Sequence, residues 1–251
     1  MAKIDLNCDL GESFGDYIIG CDRQVIPHIT SANVACGFHA GDPLVMAKTV
    51  AMCKQHGVQV GAHPGFYDIM GFGRRNMSLT PAQAKAYIMY QVGALKAFCE
   101  AEGVALSHVK PHGALYNMAG KDIVLARALC EGIYAVDKTL PILGLSGSKM
   151  LEAAAEIGLP AYSEVFADRG YQADGNLVPR GQAGDMITDE DIAIARVVRM
   201  AKEGKVTAVD GSEISLKADS VCVHGDGAKA LAFVQKIHAT LEAEGVSVVA
   251  L

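Results

Sequence analysis

Tryptophan is absent from these 251 residues, which carry only eight Tyr and seven Phe. So few aromatic faces disfavour a stacking platform for sugars or bases. No C-x-x-C pair occurs, and the seven cysteines are scattered singly through apolar segments. That usage is expected of reduced core residues in a cytoplasmic protein and argues against a structural zinc site. Basic clusters are missing and the net charge is −6, which argues against nucleic acid as the main partner. No uninterrupted apolar run reaches the length of a membrane span. The opening "MAKIDLNCDLG" has no basic region followed by a long apolar stretch, so no secretory signal is expected. Nucleotide signatures are lacking too. Neither G-x-x-x-x-G-K-[ST] nor a G-x-G-x-x-G turn after a strand is present.

What the chain has is apolar content, 51% of its residues, set in alternating short runs and helical patterns. Strands are expected at Lys3–Asp9, Ile29–Cys36, Val58–Ala62, Leu106–Lys110, Ile142–Leu145, Tyr162–Ala167 and Ser220–His224. Helices are expected at Pro43–His56, Pro81–Glu102, Ile123–Asp137, Ser148–Ile157, Glu190–Glu203 and Ala228–Glu244. "TPAQ" supplies an N-cap at Thr80, Pro81 at the first helical position and Gln83 as capping-box partner. "TDED" reads the same way around Thr188. Gly57, Gly103, Gly158, Gly204 and Gly245 each sit where a helix should stop. Strands alternating with helices imply parallel pairing through right-handed crossovers. No linker divides the chain, so the expectation is an α/β fold: one (β/α) barrel domain over residues 1–251, with seven strands. Two Gly-rich segments fall outside the alternation, Pro64–Leu79 and Asp168–Met186. Loops of this length in a compact domain usually serve function, and both are expected to border the site.

Read with period two, the strands separate into an apolar and a polar face. Ile4, Leu6 and Cys8 alternate with Asp5, Asn7 and Asp9. Ser31 and Asn33 share a face, as do Gln59, Gly61 and His63, and His108, Lys110 and His112. Cys222, His224 and Asp226 continue the pattern, and Glu164 and Asp168 bracket Phe166. Helices cover the outside of a barrel, so the polar sets should point inward, where Val, Ile and Leu are usual. Unpaired ions there would cost several kcal/mol each. A site at the C-terminal mouth explains so many polar residues better than structural pairing does. The stretch "SANVACGFHAGD" shows the device. His39, His63, His112 and His224 all lie at or just past strand ends beside Gly or Pro, where a small neighbour lets substrate approach the backbone.

Taken together, "DLNCDLGE", "ANVACGFHAGD", "GAHPGF", "GFGRRNM", "HVKPHGALYN", "VFADRGY", "GNLVPR" and "CVHGD" closely resemble the LamB/YcsF family, from Lys3 to about Val248. "GESFG" and "RGYQADGN" depart slightly from the family's pattern without removing an ionisable residue. The resemblance implies a seven-stranded (β/α) barrel of the glycoside hydrolase and polysaccharide deacetylase type. It also implies ATP-dependent opening of 5-oxoproline to glutamate together with two partner subunits, B and C. On this reading ATP, with its Mg²⁺, is used through the partners.

Such chemistry needs a base for water, donors for developing charge and an anchor for the substrate carboxylate. Asp9 or Glu12 is the expected base, assisted by His39 or His63. Lys110 and His112 are expected to stabilise the anion or protonate the leaving nitrogen. Arg169, or the pair Arg74 and Arg75, suits a carboxylate or phosphate. Asn7, Asn33, His224 and Asp226 complete the expected substrate contacts. Asp9, His39, Asp42 and His63 offer ligand types for a divalent metal, although the His-x-x-x-His spacing of the related deacetylases is absent. The turn "GLSGSKM" offers either an anion site or plain N-capping by Ser146 or Ser148. The residues leave open a stand-alone metal-dependent amidase or deacetylase, and a non-catalytic lactam-binding subunit. Homo-oligomerisation is also left open.

Overall fold

The computed structural model describes residues 2–223 and 230–251. Its strands are β1 (Ala2–Leu10), β2 (Ser31–Ala35), β3 (Gln59–His63), β4 (Leu106–Val109), β5 (Ile142–Leu145), β6 (Ala161–Phe166), β7 (Lys205–Thr207), β8 (Glu213–Ser215), β9 (Ser220–Val223) and β10 (Val246–Val248). The helices are α1 (Asp22–Val25), α2 (Pro43–His56), α3 (Pro81–Glu102), α4 (Gly113–Ala119), α5 (Ile123–Val136), α6 (Lys149–Ile157), α7 (Glu190–Glu203) and α8 (Ala230–Ala243).

Strands β1 to β6 pair in sequence, all parallel, and β9 joins β6 back to β1. Seven parallel strands therefore close a barrel, as the alternation predicts. β10 lies outside this ring and pairs only with Ala2–Ile4 at the start of β1. The antiparallel β7–β8 hairpin stands apart. It and α4 are missed by the sequence reading because each is too short to show a period.

The apolar faces of the strands are buried under the helices: Ile4, Leu6, Cys8, Val34, Val60 and Val221 all belong to the core. Local signals fix the helix ends. Thr80 and Gln83 form the capping box of α3, with Pro81 at its first position. α2 and α3 end on Gly57 and Gly103, both at positive φ, where a Cβ would be strained. One expectation is corrected. Asp189, not Thr188, caps α7, accepting from the Ile192 N–H, because a carboxylate one residue nearer the helix reaches its free donors.

Register puts the polar face of each strand at the same height. Asn7 lies opposite Ser31 and Cys222, Asp9 opposite Asn33, and Asn33 opposite Gly61, which faces His108. The inward side chains therefore form tiers that rise toward the strands' C-terminal ends.

Candidate active site

The lowest tier is built on Asp5. Its carboxylate accepts hydrogen bonds from Thr30 (2.6 Å), Ser31 (2.6 Å) and Ser220. Burial raises its pKa, and those hydroxyls and Lys110 pull it back.

The middle tier is centred on Lys110, only 2% exposed. Its ammonium lies 2.8 Å from Glu164, 2.9 Å from Asp9, 3.0 Å from Cys222 Sγ and 3.2 Å from Asn7 Oδ1. Burial alone would drive the charge off, but Asp9, Cys222 and Glu164 outweigh it and hold the pKa well above the ordinary lysine value. Glu164 also accepts from Tyr116 (2.7 Å) and Asn7 (3.0 Å). Asn33 donates to Asp9 (2.8 Å) and Asn7 (2.7 Å), and its own Oδ1 accepts from His108 at 2.7 Å. Every one of these groups therefore helps to fix Asp9.

The upper tier holds Asp9, Glu12, His39, His63 and His112. His39 Nε2 is 3.1 Å from Glu12, and the His39 and His112 rings stack with centroids 3.6 Å apart. His63 Nδ1 donates to the Lys110 carbonyl (2.7 Å), and His112 Nε2 donates to the Phe72 carbonyl (2.8 Å). A carbonyl only accepts, so in the uncharged form of each ring the other nitrogen bears a lone pair. Those two nitrogens, His63 Nε2 and His112 Nδ1, face each other at 2.9 Å. Asp9 Oδ2 lies 3.3 Å from the first and Glu12 Oε1 3.7 Å from the second. Burial, reinforced by the neighbouring rings, pushes His39 and His112 well below the usual histidine range.

Glycines admit these rings. A Cβ on Gly61 would overlap the His108 ring outright. One on Gly73 would come within 2.6 Å of His39 Cβ and 2.8 Å of His112, and one on Gly65 within 2.8 Å of His39 Nδ1. The small neighbours thus make room for histidine itself, which differs from the expectation that they make room for substrate.

Two connected cavities lead in. The inner cleft, about 50 Å³, is lined by Asp9, Glu12, His63, Phe72, Arg74, Lys110, His112, Tyr116, Arg169 and Arg180 among others. It opens into a vestibule of about 630 Å³ that carries Arg74, Arg75, Lys121, Arg169 and Arg180, with no carboxylate among its described lining residues. The vestibule favours anions.

The structure thus brings Asp9, Glu12, His39, His63, Lys110, His112, Arg74 and Arg169 to one mouth, and both long loops border it through Phe72, Arg74, Leu177 and Arg180. Three expectations are corrected. Asp42 is not near a ligand set: it caps α2, accepting from Leu44, Val45 and Gly15 N–H groups. The Asp-Pro start of α2 carried that signal. Asn7 and Asn33 are completely buried one tier below the cleft, outside its lining, where Asn33 donates to Asp9 and Asn7 donates to Glu164 and Ser220. Arg75 is tied to Asp68 by two of its nitrogens and reaches only the vestibule, while Arg74 lines both cavities. His224 and Asp226 lie outside the described residues. At the "GLSGSKM" turn neither Ser146 nor Ser148 caps α6 through its side chain, and Lys149 pairs with Glu152 at 2.6 Å.

Glu164 and His108 stood on the polar faces in the sequence, without an assigned role. Tyr116 had a weaker signal, four residues after His112 on the short α4. Arg180, from the second long loop, had only its place at the end of "GNLVPR".

A closed seven-stranded (β/α) barrel with carboxylates, imidazoles and a buried ammonium at its C-terminal mouth is the architecture of a barrel enzyme that works by acid–base chemistry. The chain belongs to the LamB/YcsF family, whose model matches residues 4–251. It is 61% identical over 251 residues to the A subunit of 5-oxoprolinase from Clostridium beijerinckii, covering 100% of this chain and 98% of that protein. It also resembles the crystal structure of the lactam utilization protein from Thermus thermophilus, with a TM-score of 0.94, 46% identity, and coverage of 99% and 100% of the two chains. A deacetylase structure, T48 with substrate, shares the fold at a TM-score of 0.51 and 14% identity, over 99% of this chain and 87% of that one. Among the described residues no helix is long and apolar enough to cross a membrane.

Proposed function

We propose that this chain is the hydrolytic subunit of an ATP-dependent 5-oxoprolinase, opening 5-oxo-L-proline to L-glutamate with partner subunits B and C. The supporting observation is the pairing of an acid–imidazole floor with a cation-lined approach, in a chain closely similar to proteins named for this lactam chemistry. The substrate is a small acid whose amide must be hydrolysed. Arg74 and Arg169 line both cavities and suit its carboxylate, or a phosphate on its activated oxygen.

Asp9 is the proton acceptor in this reading. Its Oδ1 is held by Lys110 and Asn33, and its Oδ2 lies 3.3 Å from His63 Nε2. Water gives up a proton there as its oxygen bonds to the lactam carbon. The ring C–N bond breaks, and the nitrogen departs with the proton that Asp9 accepted. A second water releases the phosphate of the activated intermediate, so one ATP and two waters give glutamate, ADP and phosphate. Lys110 is too enclosed by Asp9, Glu164, Asn7 and Cys222 to protonate the nitrogen, and its role is to keep Asp9 ionised and fixed. No nucleotide signature is present in the sequence. ATP and its Mg²⁺ are accordingly handled by the partners, and the activated lactam is passed to this barrel. The test is glutamate formation from 5-oxoproline, Mg²⁺ and ATP by the assembled subunits, with its loss in Asp9→Asn.

A further inference from the structure

We propose that Glu12, His39, His63 and His112 together bind one divalent first-row transition-metal ion of the zinc type. The starting point is an electrostatic conflict. His63 Nε2 and His112 Nδ1 both present lone pairs, 2.9 Å apart, because their other nitrogens are committed as donors to the Lys110 and Phe72 carbonyls. Two acceptors at that distance in a buried site repel unless a cation lies between them or beside them. Glu12 and Asp9 add carboxylate oxygens at 3.7 and 3.3 Å from the two nitrogens, which deepens the negative potential.

The dimensions match a coordination shell. One ligand atom from each of the four residues lies within 4.8 Å of the others. A tetrahedron with metal–ligand bonds of about 2.0–2.1 Å has edges of roughly 3.4 Å. The separations recorded along the cluster, 3.1 Å for His39–Glu12, 3.7 Å for His112–Glu12 and 2.9 Å for His63–His112, scatter about that value. Three imidazoles and one carboxylate select zinc-like ions over Mg²⁺ or Ca²⁺, which take oxygen shells. The backbone carbonyls that fix the His63 and His112 tautomers are what metal-bound histidines ordinarily have behind them. His39 lacks such a partner, since its Nδ1 makes no hydrogen bond among the described residues, and it is the weakest ligand of the three rings. When bound, such an ion supplies Lewis acidity at the floor of the cleft, beside Asp9.

The competing neutraliser is a proton shared by the two rings. The experiment uses the untagged full-length chain, stripped with chelator and titrated with Zn²⁺ by calorimetry and with Co²⁺ by visible absorption. The expected result is one ion per chain, with the intense visible bands of four- or five-coordinate Co²⁺. His63→Ala and His112→Ala should each weaken binding by on the order of a hundredfold or more, and Glu12→Gln and His39→Ala by about tenfold. Cys21→Ser and His56→Gln, outside the cluster, should bind as the wild type does. Circular dichroism identifies any variant that fails to fold, and Glu12→Gln, a near-isosteric change, then carries the comparison. No uptake by the wild-type chain would overturn the proposal, as would uptake unchanged across the folded cluster variants. These readouts need neither 5-oxoproline nor partner subunits, so the ion and the lactam reading stand or fall separately.

Discussion

His63 Nε2 and His112 Nδ1 stand 2.9 Å apart, one ring from the end of β3 and the other from the start of α4. Each ring is held from behind by a main-chain carbonyl, so neither can turn to relieve the contact. The lower tiers have the same character. Side chains in them are fixed by partners on other strands, and what they fix ends at Asp9 and the histidines above it.

Gly61→Ala should disrupt the site without touching it. The added methyl would occupy the space of the His108 ring, which donates to Asn33, which in turn donates to Asp9. Overpacking of this kind costs about 1–3 kcal/mol. Urea unfolding should show that loss. Gly61→Ala/His108→Ala should recover part of it, and an equal loss in both variants would contradict the steric account.

Lys110→Met should leave the buried Glu164 carboxylate, and the partly exposed Asp9 beside it, without their ammonium. Breaking a buried ion pair from one side costs about 3–5 kcal/mol. The double variant Lys110→Met/Glu164→Gln removes one of the orphaned charges and should be more stable than Lys110→Met alone. Denaturation at neutral pH checks both. Equal stability of the single and double variants would show that Glu164 is not held ionised by Lys110.

His108 gives a pH dependence of known sign. Burial first, then the neighbouring Lys110 and His63, lower its pKa from 6.5 to about 3. The unfolded chain therefore binds a proton below pH 6.5 that the folded chain does not. Stability from this group is complete above pH 6.5 and is lost as pH falls toward 3. Relative to His108→Gln, the wild type should lose about 1.5 kcal/mol between pH 6.5 and roughly pH 5. Parallel stability curves for the two proteins would contradict a buried neutral His108.

Much of this was legible in the sequence because period-two alternation survives in parallel strands whose two faces differ. Asp5, Asn7 and Asp9 against Ile4, Leu6 and Cys8 placed three tiers correctly. What alternation does not contain is the height at which neighbouring strands align. For that reason Asn7 and Asn33 read as substrate contacts, whereas register puts them beneath Asp9. Asp42 was misread for a different reason: a carboxylate before Pro is both a ligand type and a helix cap, and only the backbone N–H groups above it decide. The seven-strand closure followed from counting strand–helix units. The β7–β8 hairpin and α4 were too short to count.

The most direct measurement is glutamate production in four reactions containing 5-oxoproline, Mg²⁺ and ATP. These hold the isolated chain, subunits B and C alone, all three together, and all three with Asp9→Asn. Turnover is expected only in the complete wild-type mixture, with Asp9→Asn slowed by about 10²–10⁴-fold although it still assembles. Robust glutamate formation by the isolated chain, or undiminished turnover by the Asp9→Asn complex, would contradict it.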